Sequence, residues 1–74
     1  MIKKGDILTL EDDNQYTVVD MFVEEEKTYA FLVDINDTVN FIYCKIEDDG
    51  LVDLAGTADL EHVIKVINDR LHNA

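Results

Sequence analysis

The order of apolar and polar positions divides the chain into two regimes. Up to Leu54 apolar residues recur with period two, the mark of β-strands, and beyond Gly56 the spacing lengthens to that of a helix. The densest stretch is Gln15–Asp34, QYTVVDMFVEEEKTYAFLVD. Its arms, Tyr16–Val23 and Thr28–Val33, are rich in β-branched and aromatic residues that suit a pleated surface. Glu24-Glu25-Glu26-Lys27 between them is polar and short enough for a hairpin loop. Strands are predicted at about 5–10, 15–23, 28–34, 38–46 and 51–54. Turns fall at Glu11–Asn14, Asp34–Asp37 and Glu47–Gly50, where Asp and Asn accept turn geometry and Asp49-Gly50 suits a type I′ hairpin. Leu60, Val63, Ile64, Ile67 and Leu71 then fall on one stripe of an amphipathic helix over about 58–72, with Thr57 as N-cap. The pattern predicts a single α+β domain over 1–74: an antiparallel β-meander of four or five strands followed by one C-terminal amphipathic helix.

The central arms are apolar on both faces. Simple alternation puts Tyr16, Val18 and Phe22 on one side and Val19, Met21 and Val23 on the other. A helix of about 22 Å covers one face of a small sheet, not two. An antiparallel face left to water reads polar, and neither face here does. Either the sheet curls into a small barrel or a second chain covers the open face. Met21, Phe22 and Phe31 are the candidate apolar contact positions, and the partner is a second copy, forming a homodimer, or another protein.

Charge narrows the partners. Six basic residues stand against 17 acidic ones, a net charge of −11. Such a surface repels phosphate backbones and anionic lipid, which excludes direct nucleic-acid binding and membrane attachment and favours a basic or neutral protein partner. In a meander successive turns alternate between the two ends of the sheet. Glu11, Asp12, Asp13, Asp34 and Asp37 then share one pole, and Glu24, Glu25, Glu26, Glu47, Asp48 and Asp49 the other, roughly 20–25 Å away. Exposed turns are polar in any soluble protein, and acidity keeps a small domain in solution. The sharper alternative is a surface that imitates a nucleic-acid backbone and occupies the basic groove of a DNA- or RNA-binding protein.

No catalytic constellation is visible, and the chain reads as non-enzymatic, with no cofactor and no metal. Cys44 alternates with Ile42 and Ile46 as a core residue, and a lone cysteine fits a reducing cytoplasm. His62 and His72 are too far apart along one helix to share an ion and read as solvated. The acidic turns lack the ligand order of an EF-hand, and there is no glycine-rich phosphate loop. No apolar run reaches the roughly 20 residues of a membrane span.

Lys4-Gly5-Asp6-Ile7-Leu8-Thr9-Leu10, then Tyr16–Asp20, then Lys27–Ile35 resemble, over about the first half of the chain, small acidic proteins of low-GC Gram-positive bacteria and their prophages, the YrzB-like family. The resemblance implies a cytoplasmic, non-enzymatic protein of host or phage origin. The family supplies no functional residues to carry over. Phage proteins of this size and charge include anti-CRISPR inhibitors, an analogy of size and charge alone.

Overall fold

The computed structural model describes residues 2–48 and 50–73. Five strands, β1 (Ile7–Thr9), β2 (Gln15–Glu24), β3 (Lys27–Asp34), β4 (Phe41–Glu47) and β5 (Gly50–Asp53), precede one helix, α1 (Asp59–His72). They form one sheet in the order β1-β2-β3-β4-β5, every pair antiparallel. This is the expected α+β meander, and it is curled into a half-barrel. Some boundaries differ. β1 is shorter than expected, and Thr38–Asn40 form the β3–β4 connection instead of opening β4. There the Asp37 carbonyl accepts the Asn40 N–H at 2.9 Å, a closed turn that leaves Val39 in solvent.

The sheet's two faces carry separate cores. On the concave side Tyr16, Val18, Ala30, Leu32 and Cys44 are buried, with Leu8, Met21, Ile42, Ile46 and Leu51 packed around them. On the convex side Phe22, Tyr29 and Leu54 are buried against Val63 and Ile67 of α1. The sheet is curled, though only into a half-barrel. Curvature encloses much of one face, and the helix covers part of the other.

A bulge makes this possible. Val18 pairs with Leu32 and Asp20 with Phe31, so Val19 is an extra residue in β2. One extra residue inverts the in–out alternation beyond it. Tyr16 and Val18 therefore face the concave core, whereas Asp20 and Phe22 face the helix. Placing Phe22 on the same side as Tyr16 and Val18 is corrected by this bulge, and so is placing Met21 on the side opposite Val18.

The β2–β3 hairpin is tighter than its four polar residues imply. Glu24 pairs with Lys27, leaving Glu25 and Glu26 as the two-residue turn. Both have positive φ, 52° and 68°. That is the type I′ pattern, which favours Asn-Gly because most L-residues are strained there. Replacing Glu25→Asn together with Glu26→Gly is expected to stabilise the domain by about 1 kcal/mol. The check is a higher urea midpoint at unchanged slope. An unmoved midpoint would contradict the turn geometry.

Gly56, at φ 79°, turns the chain from β5 toward the helix in a region of φ that other residues adopt with strain. The helix starts at Asp59, with Ala58 as the N-cap residue and no side-chain cap. Thr57, expected to cap, instead donates its hydroxyl to the Leu54 carbonyl at 2.8 Å. Leu71, the last residue of the predicted stripe, is 44% exposed because it lies beyond the buried Val63–Ile67 contact.

Candidate interaction surface

Two polar contacts bind the helix to β2. Near its start, His62 Nε2 lies 2.6 Å from Glu24 Oε1, so this histidine has a partner where full solvation was expected. Near its end, Arg70 Nε donates to Asp20 Oδ2 at 2.7 Å and Nη2 to Oδ1 at 3.1 Å, with a further bond from Nη2 to the Met21 carbonyl. The Asp20 side chain is 3% exposed. The Arg70 hydrogen bonds hold its carboxyl below the usual range against the opposing effect of burial, helped by the Met21 N–H. The Arg70 guanidinium is shifted up by the same bonds.

The contacts at Glu24 and Asp20 lay α1 over the second half of β2. The convex face beyond Asp20 is left uncovered by the helix, and it is apolar. Val33 pairs with Phe41, and Phe31 with Tyr43. Phe31 stacks on Tyr43 with centroids 4.8 Å apart, and Phe41 meets both edge-on at 5.7 and 5.8 Å. Phe41 is 50% exposed, and Ile7, on the neighbouring edge, 58%. Burial also shifts the Tyr43 hydroxyl upward, away from ionisation at neutral pH.

The predicted contact residues do not form one surface. Met21 packs in the concave core, Phe22 is buried under α1, and only Phe31 borders the open convex face. No single open face holds all three, because Met21 and Phe22 are consecutive and point to opposite faces; the bulge at Val19 decides only that Met21 is the concave one and Phe22 the one beneath the helix. The position sequence alternation passed over is Phe41, set beside Phe31 by the β3–β4 register.

The acidic turns gather at two poles as the meander requires. At the first, Tyr16 donates its hydroxyl to Asp12 at 3.0 Å and accepts from Asn40, whose amide also donates to Asp34. Asp34 is 4% exposed and accepts the Asn36 N–H. Asp12 and Asp34 thus fasten two turns together, while Glu11, Asp13 and Asp37 are exposed to solvent. At the second pole Glu24, Glu25, Glu26, Glu47 and Asp48 are exposed, but Lys27 and Lys45 lie among them, and Lys45 pairs with Glu47 at 3.0 Å. Asp49 lies outside the described residues.

Cys44 is buried, and its thiol is pushed up to about 11 by burial and then by the charge of Asp53, so it is held protonated. Among the described residues no group of three or more His, Cys, Asp or Glu side chains is arranged to hold a metal ion, and no helix is long and apolar enough to cross a membrane. No protein-family model, curated protein or solved structure matches the chain.

Proposed function

We propose that this chain is a non-catalytic, acidic protein-interaction module acting in the cytoplasm. Its contact surface centres on Phe41, the exposed ring of an aromatic cluster whose other two members, Phe31 and Tyr43, are half buried against the helix-covered core. The observation that carries the reading is Phe41, half exposed and edge-on to two further rings on a sheet face that the helix stops short of. Aromatic side chains give much contact area for little lost rotamer freedom, and apolar patches rimmed by charge mark protein contacts. The protonated, buried Cys44 supports a role without covalent chemistry.

Sedimentation equilibrium at low and high salt tests this, alone and with candidate basic partners. Two copies each carrying −11 repel, so self-association through the patch tightens as salt rises. A basic partner seated there binds less tightly as salt rises. In either case Phe41→Asp abolishes the association and leaves the circular dichroism spectrum unchanged. Association that survives Phe41→Asp refutes the patch.

A second reading, an acidic decoy for a DNA- or RNA-binding protein, draws on the first pole, where Glu11, Asp13 and Asp37 are exposed beside Asp12 and Asp34. It requires binding that weakens steeply with salt and is lost on neutralising Glu11, Asp13 and Asp37, while Phe41→Asp is without effect.

A further inference from the structure

The concave side offers a second surface, independent of the aromatic patch. The half-barrel does not close: β1 and β5 are its two edges, and among the described residues no pairing joins them. Between them runs an open groove of about 740 Å3, with Leu8, Leu10, Ile42 and Leu51 in its wall and Glu11 and Asp53 at its rim. Those four apolar side chains are only half buried, although they adjoin the tightest part of the core.

Among the described residues both edges present backbone groups without a strand partner to this groove. On β1, the Asp6 carbonyl accepts from Val18 and the Leu10 N–H donates to Asn14. Hydrogen-bonded positions alternate in an antiparallel pair, so the amides and carbonyls of Ile7 and Thr9 point away from β2. On β5, the Leu54 N–H donates to the Tyr43 carbonyl at 3.0 Å. By the same alternation the backbone groups of Leu51 and Asp53 point away from β4.

Direction matters as much as spacing. In a five-stranded meander the first and last strands run the same way. Closing the barrel on itself would need a parallel β1–β5 pair in an otherwise antiparallel sheet, and a parallel pair is the less stable kind. One extended segment running the opposite way is antiparallel to both edges at once. It would complete an all-antiparallel barrel of six strands and remove both edges, which are otherwise templates for unwanted pairing.

We propose that the groove binds a short extended segment of a basic partner protein, inserted as a strand between β1 and β5. Its alternate apolar side chains fill the space against Leu8, Leu10, Ile42 and Leu51. Its intervening side chains face out and are Lys or Arg, answering the −11 charge of the chain. β1 and β5 are three and four residues long, so the recognised core is equally short. Another copy of this chain is the wrong occupant, because it brings the same negative charge.

The test uses the full chain and a capped peptide alternating valine and lysine over about five residues, the usual length of a strand. Amide hydrogen exchange is read by NMR with and without peptide. Without it, the Ile7, Thr9, Leu51 and Asp53 amides exchange fast. With peptide at about ten times its Kd they slow about tenfold, since protection follows one plus the ligand-to-Kd ratio. A valine–glutamate peptide and a lysine peptide with proline at its centre produce no slowing. Leu51→Lys removes the effect of the valine–lysine peptide. Slow exchange at those amides in the peptide-free protein, whether from internal pairing or from a dimer seen by sedimentation, overturns the proposal. So does equal slowing by the glutamate peptide, or peptide binding that leaves the four amides fast. Because the readout lies on β1 and β5, it is independent of whether Phe41→Asp abolishes binding at the convex patch.

Discussion

Arg70→Met is expected to destabilise the domain by leaving Asp20 as a buried carboxylate without its counter-charge, a cost of about 3 kcal/mol. Asp20 retains the Met21 N–H at 2.9 Å, which supplies one hydrogen bond but no positive charge. A chain of this length has a total stability of roughly 4–11 kcal/mol, so the loss is a large share of it. Asp20→Asn costs less, because Arg70 is about half exposed and is solvated when its partner goes. Chemical denaturation of both variants checks this order, and equal losses would contradict it.

The same pair sets an acid dependence. The folded-state pKa of Asp20 is lowered from 3.8, so its contribution is complete above the unfolded value and is lost as pH falls below it through the folded value. Arg70→Met removes the strongest of the groups that lower the pKa and leaves burial opposed chiefly by the Met21 N–H. The stability gap between the natural protein and the variant should therefore be widest at neutral pH and shrink as pH falls through about 4. A gap that stays constant on acidification would show that the ion pair is not its source.

Ile67→Ala carries the second large effect. Ile67 is fully buried between α1 and the convex face, where it meets the cluster of Phe22, Tyr29, Leu54 and Val63. Removing its branched side chain loses the transfer energy of three carbons and leaves a void, about 3 kcal/mol in all. For a domain of this size that corresponds to a fall in Tm of roughly 12–24 °C. The concave core shares no buried residue with this cluster. Thermal scans of the helical circular dichroism decide this, and a Tm change below a few degrees would rule out the packing role.

The meander was legible in the sequence because each of its strands is short, locally patterned and followed by a turn with its own chemistry. The helix was legible because Leu60, Val63 and Ile67 keep one spacing whatever they pack against. The curl of the sheet was expected only as one of two options. What decided it was the extra residue Val19, and Val18-Val19 reads as unbroken strand because nothing in two adjacent valines distinguishes a bulge from a pleat. The ion pair had left a trace: Asp20 is an acid within the apolar run Val18–Val23, and the chain has a single arginine able to grip it with two bonds. Asn40 was indistinguishable from any strand-edge asparagine until the β3–β4 turn brought it to Tyr16 and Asp34. The open aromatic patch depends on where the helix ends relative to the sheet, a tertiary quantity that periodicity does not contain.

Val19 also bears on how this sequence can vary over generations. Substitution there changes one side chain on one strand. Deletion would remove the bulge and leave every other facing in place: Val18 and Met21 stay concave opposite Leu32 and Ala30, and Asp20 and Phe22 stay on the helix side opposite Phe31 and Tyr29. What goes with the residue is the added local twist of the bulge. The curl of the sheet, more than the sidedness of β2, is therefore what descendants of the chain would lose with this valine.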